Sequence, residues 1–295
     1  MPYRRILSAV AVLTAAALAG VAFLSPGSHG YFPLKWLRSS PREFPRSEIE
    51  HNAETFGNRP SYLVSMRGNR SYHAGRSSRV FYLGDDSTFH ARLLIQDFGG
   101  CLATGTVRFF LNYSPAVLDI DGASAIPRTS TVSLALDRDA VRILGLTVHG
   151  IAPGVNDFCL EVRTTNHMVL DREPGRHYPL VPRNVHTFQL IRNGRSPRPD
   201  HAVPSKEMAP GDCPRPERAY LAKDNRIAIV NCTDSVAQGV LFGGTVPRFY
   251  RVEPHRMAVF EHDDGDVLLH LADPFTALET WNGRARYPQS DILGL

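Results

Sequence analysis

Between residues 61 and 192 the sequence alternates short apolar, β-branched and aromatic runs with turn-forming residues about every ten positions, a spacing that fits sheet and not helix. The candidate strands are 79–83, 89–96, 105–111, 131–136, 141–148, 157–163 and 185–191. Gly84-Asp85-Asp86, Phe98-Gly99-Gly100, Asp119 to Gly122, Asp137-Arg138-Asp139 and Ala152-Pro153-Gly154 supply turns between them. Long amphipathic helical patterns are missing. Seven short strands bury their apolar side chains by stacking as two sheets, so a β-sandwich is expected over 61–192.

The flanks define the rest of the organisation. Arg4 and Arg5 precede an uncharged run, residues 6–24, that ends at Ser25-Pro26-Gly27. As a helix it rises roughly 28 Å, close to the hydrocarbon thickness, with its positive flank on the cytoplasmic side. Residues 1–24 are therefore expected to be a membrane anchor, the alternative being a secretory signal peptide cleaved near Ala17-Leu18-Ala19. Either way the rest is exported, as a single-pass protein with an extracytoplasmic C-terminus or as a secreted one. Residues 25–60 read as a juxtamembrane linker with a short helical turn within 42–56. Residues 193–212 are a Pro-rich linker, and 213–295 a smaller β domain with strand-like runs at 219–221, 226–231, 239–242, 249–252, 257–260 and 267–271.

Four cysteines, Cys101, Cys159, Cys213 and Cys232, follow the export segment, and an even count in an oxidising compartment reads as disulfides. Three pairings are possible. The Pro-rich stretch between the first two and the last two favours Cys101–Cys159 and Cys213–Cys232. The spacing lacks the two-to-four-residue separation that would put two thiolates on one zinc ion. With its count of strands and two cysteines able to link facing sheets, 61–192 resembles the immunoglobulin-like sandwich. It departs from that pattern in two places. Neither Trp36 nor Trp281 lies between Cys101 and Cys159, and Asp157 stands two residues before Cys159 where antibody domains place a tyrosine. The resemblance implies architecture and no function.

With 43% apolar and 21% charged residues the chain has the composition of a globular protein, and a net charge of +4 leaves no nucleic-acid footprint. Neither a phosphate-binding loop nor a GxSxG nucleophile elbow is present, and no cofactor is expected. His262, Asp264 and His270 are the candidates for a metal, on a hairpin that is read first as solvated. Asp119 and Asp121 share a face of an extended segment, read first as a polar strand end. The densest basic and aromatic group, Arg67, Arg70, Tyr72, Arg76 and Arg79, is a candidate for binding an anionic polymer or headgroups. Asn69, Asn112 and Asn231 head N-glycosylation sequons. Together these features point to a mainly β, disulfide-bonded binding or assembly module at the cell envelope. Its expected partners are the membrane, through the N-terminal segment, and an envelope protein or anionic polymer. The alternative is an envelope hydrolase acting on glycan or peptide.

Overall fold

The computed structural model describes residues 41–57, 61–69, 73–74, 79–121, 130–164, 168–170, 177–179, 183–196, 205–207, 220–222, 226–244, 246–261, 267–270, 280–281 and 284–285. The expected anchor, 6–24, lies outside them. No helix among the described residues is long and apolar enough to cross a membrane.

Among the described residues one helix, α1 (Arg46–Phe56), precedes the strands β1 (Ser61–Gly68), β2 (His73–Ala74), β3 (Val80–Gly84), β4 (Phe89–Phe98), β5 (Gly105–Leu111), β6 (Ser114–Pro115), β7 (Leu118–Ile120), β8 (Thr131–Leu134), β9 (Val141–Val148), β10 (Gly154–Thr164), β11 (Met168–Leu170), β12 (His177–Pro179) and β13 (Arg183–Arg192). Sheet I runs β1-β4-β9-β7. Sheet II runs β2-β3-β13-β10-β5-β6, with β8 also on β5. The protein is thus mainly β, and its two large sheets face one another as a sandwich. Alternation decides which residues meet. On β4, Ala91, Leu93 and Ile95 point inward, as do Leu144, Leu146 and Val148 on β9. From sheet II, Val107, Phe109, Phe158, Leu160, Phe188 and Leu190 meet them, all at most 2% exposed.

Four of the five turns read from sequence are found, and the fifth is corrected, since Asp119 and Ile120 lie in β7. Gly84, Gly99, Gly100, Asp139 and Gly154 all carry positive φ. The tight β5–β6 connection is Asn112-Tyr113, both left-handed at φ 51° and 70°, as a two-residue type I′ hairpin requires. A tyrosine there costs about 1 kcal/mol of backbone strain, so something must hold it.

The remaining strands are β14 (Ser205–Glu207), β15 (Tyr220–Ala222), β16 (Arg226–Asn231), β17 (Ala237–Phe242), β18 (Arg248–Val252), β19 (Arg256–Glu261), β20 (Val267–His270), β21 (Thr280–Trp281) and β22 (Arg284–Ala285). They form the sheets β14-β19-β16-β15 and β18-β17-β20, beside small hairpins β11-β12 and β21-β22. The apolar run in β17 serves two cores. Leu241 packs with Ile229, Tyr250, Val252 and Ala258, while Val240 and Phe242, on the opposite face, pack with Phe110, Tyr113, Cys159 and Val185. Residues Pro41–Leu295 form one compact unit.

One expected crosslink is corrected. Cys101 and Cys159 are both free thiols, and both are fully buried. Cys101 sits in the turn after β4 and belongs to the inter-sheet core. Cys159 lies between Phe158 and Leu160, which face that core, so alternation turns its thiol to the other side of sheet II. The two sulfurs are on opposite sides of a sheet. Cys232 is not among the free thiols, and Cys213 lies outside the described residues.

Candidate functional site

The two outer faces of the sandwich have different fates. On sheet II the outer row of β10 is Asp157, Cys159, Glu161 and Arg163, flanked in register by Gln189, Thr187 and Val185 of β13 and by Phe110 and Arg108 of β5. This face is closed by β17 and β18. Phe242 packs edge-on against Phe110, ring centroids 5.0 Å apart, and lies 5.4 Å from Tyr113, whose ring also meets Phe249 at 5.7 Å.

The carboxylates of Asp157 and Glu161, taken into that junction, are each met by side chains there. Asp157 accepts the Tyr113 hydroxyl at 2.6 Å and the Gln189 amide at 3.0 Å. This anchors the strained turn tyrosine. Burial first, and then the Asp157 charge, raise the Tyr113 phenol well above its ordinary value. Glu161, fully buried, is held by Arg163 (Nε–Oε1 2.6 Å) and Arg108 (Nη1–Oε2 3.2 Å). Arg108 also donates to the Gly243 carbonyl and lies 4.9 Å from the Phe110 ring. Burial likewise raises the Cys159 thiol.

Sheet I is half open. Its outer rows, in register, are Arg67–Arg92–Gly145, Ser65–Leu94–Ile143 and Leu63–Gln96–Val141, with Asp119 beside Thr147 and His90 at one end. The segment carrying α1 roofs β1 and β4. Glu48 pairs with Arg67, and Glu43 with Arg92 at 2.7 Å. The Gln96 amide donates to the Ile49 carbonyl at 3.0 Å, and Phe56 lies 6.2 Å from Phe98. Leu94 is fully buried on this outer face. The roof stops at β9, where Val141 and Ile143 stay 37% exposed. Asp119 and Asp121 border the far end. Asp119 accepts from His149 at 2.7 Å, and the Asp121 carboxylate lies over Gly145, in the space that a Cβ would fill. This open strip over β9 is the candidate binding site. The sequence signal for it was available, since Val141, Ile143, Gly145 and Thr147 alternate with core residues 144, 146 and 148.

Other residues singled out in the sequence are scattered. Arg67 is engaged by Glu48 and lies 5.0 Å from the Phe44 ring. Arg79 sits 6.0 Å from the Phe188 ring on sheet II. Arg70, Tyr72 and Arg76 lie outside the described residues, as do His262 and Asp264, while His270 ends β20 opposite Gly239. No group of three ligating side chains is poised for a metal among the described residues. Each sequon asparagine is occupied. Asn69 is 5% exposed, the Asn112 amide donates to Asn156 at 2.8 Å, and the Asn231 amide donates to the carbonyls of Ser235 and Val252. A glycosylated amide keeps one N–H, so Asn231 would lose one of its two bonds.

Sequence reasoning missed His186, on β13 facing sheet I. Its ring lies 6.1 Å from Tyr62, and its Nε2 is buried without a hydrogen-bond partner. Burial, with a contribution from the Arg79 charge, lowers its pKa to about 4. The neutral form is the one that folds, so stability is complete above the unfolded value of about 6.5 and falls as pH drops toward 4. Between pH 7 and pH 5 the loss is about 2 kcal/mol. Urea titrations at the two pH values should show it in the native chain and not in His186→Leu.

No protein-family model matches the chain, and no curated protein does. Solved structures are similar at low identity. The CARDB domain of the PF1109 protein from Pyrococcus furiosus, crystallised in complex with di-metal ions, is 14% identical with a TM-score of 0.28, over 46% of this chain and 96% of that one. The ASH/PapD-like domain of human CEP192 is 12% identical, TM-score 0.23, over 45% and 84%. The class 5 fimbriae chaperone CfaA is 9% identical, TM-score 0.22, over 74% and 95%. TM-scores this low carry no argument for this chain.

Proposed function

We propose that this chain is an exported β protein that binds another protein at the cell envelope, where residues 6–24 hold it. The observation that carries the reading is the contrast between the two outer faces. That of sheet II is filled by β17 and β18, whereas that of sheet I keeps Val141 and Ile143 exposed. A protein partner fits this strip better than an anionic polymer does, because Arg92 at its border is neutralised by Glu43 and the carboxylates of Asp119 and Asp121 stand there too. Cys213–Cys232 is the one crosslink proposed, bracing the 213–295 strands.

The test combines fractionation with thiol counting. Protein from the native host should sediment with membranes, and protease added outside the cytoplasmic membrane should degrade it. Unfolded without reductant it should release two thiols, and four after reduction. A cytosolic protein with four thiols overturns the reading.

A further inference from the structure

Strand β9 is bonded along its whole length by β4, but β7 is short and covers only one end of the opposite edge. The β7 ladder spans Leu118↔Val148 to Ile120↔Leu146, and Asp121 N–H adds one bond to the Gly145 carbonyl at 2.9 Å. From residue 144 back to 141 no described residue pairs with that edge. Every second residue of a strand directs its N–H and C=O away from the neighbour it is already bonded to, so this stretch offers outward donors and acceptors. The outward side chains on the same stretch are Val141 and Ile143, the exposed apolar pair of the open strip.

Building on the envelope-binding reading, we propose that the β9 edge at residues 141–144 receives an extended segment of the partner protein, which continues the line of β7 as an added strand. The backbone ladder supplies attachment, and alternate side chains supply selectivity. Apolar residues two apart on the partner lie beside Ile143 and Val141. A lysine or arginine at the end of the segment nearer β7 faces Asp121, whose carboxylate lies over Gly145. Four residues of ladder give a reversible contact, with affinity set by the side chains.

The experiment uses the full chain and a synthetic peptide of alternating Val and Thr with one terminal Lys. Hydrogen exchange at amides 141 and 143, whose N–H groups point to the free edge, is followed with and without peptide, and binding by fluorescence anisotropy. Open-edge amides should exchange fast in the free protein and slow at least tenfold with peptide. Ile143→Asp should weaken binding at least tenfold, and so should a peptide with Glu in place of Lys, while Val246→Asp, at a 68% exposed site far along the chain, should have no effect. Amides already protected without peptide would show that the edge is filled from within and would overturn the proposal. Undiminished binding to Ile143→Asp would do the same. In cells, a photo-crosslinker at position 143 should capture one protein, and one at 246 should not. Adducts from 246 alone would retain the envelope-binding reading and reject this edge, while adducts from neither would reject both.

Discussion

Replacing Arg108 with leucine is expected to destabilise the protein by about 3 kcal/mol or more, measured as a drop in the urea midpoint at unchanged slope. The cause is the Glu161 carboxylate. It is fully buried on the outer face of sheet II and shared between Arg108 and Arg163. Without Arg108 a buried negative charge loses one of its two cations. The Gly243 carbonyl, 135 positions away, loses its donor in the same step. Glu161→Leu should cost less, because the side chains of Arg108 and Arg163 are 21% and 29% exposed and can turn to water. The double variant Arg108→Leu/Glu161→Leu should recover most of the loss, since an apolar pair fits between Phe110 and Val185. A double variant no more stable than Arg108→Leu alone would mean that Arg108 acts through Gly243 and Phe110 and not through the carboxylate.

The same residues show where sequence reading reaches its limit. Local alternation placed β3, β4, β5, β8, β9, β10 and β13 to within a few residues, because period-two apolarity and turn residues are local properties, and missed β6, β7, β11 and β12, which at two or three residues are too short to show a period. It passed over β1, where Tyr62, Arg67 and Asn69 gave Ser61–Gly68 a polar look. Yet Val64 and Met66 there alternate onto the core face. The Cys101–Cys159 pairing failed although the signal against it was present. Phe158 and Leu160 claim the core face of β10, so Cys159, with Asp157 and Glu161 in the same row, had to face away. A row holding two acids and a thiol, on a strand otherwise buried throughout, marks a face that some other part of the chain must cover. What covers it could not be read from the sequence. The partners of that row, Gly243, Phe242 and Phe249, lie more than 80 residues beyond Cys159, and no local period encodes that pairing. The open strip on sheet I is legible in the same partial way. Its outward residues follow from alternation, but the reach of the α1 roof depends on the pairs Glu48–Arg67 and Glu43–Arg92, which only the folded chain reveals.

Phe242→Ala should be the most damaging single truncation at the junction, at about 3–5 kcal/mol. The ring is 1% exposed and contacts two other aromatic rings, so its removal leaves a cavity walled by Phe110 and Tyr113 that strands on both sides must collapse to fill. Leu241→Ala, one position earlier, makes a hole in the separate core of Ile229, Tyr250 and Val252 and should cost a comparable 2–5 kcal/mol. Stability alone cannot tell them apart, but Cys159 can. Its thiol shares the cluster with Phe242 and is held in the protonated form by burial. In native Phe242→Ala, Cys159 should react with a water-soluble disulfide reagent at least tenfold faster than in the parent chain, with Cys101 replaced by alanine in all samples. In Leu241→Ala the rate should stay near that of the parent, because β17 still presents Val240 and Phe242 to sheet II. If both variants expose Cys159 equally, the two cores open as one cooperative body, and β17 does not separate them energetically as its two faces imply.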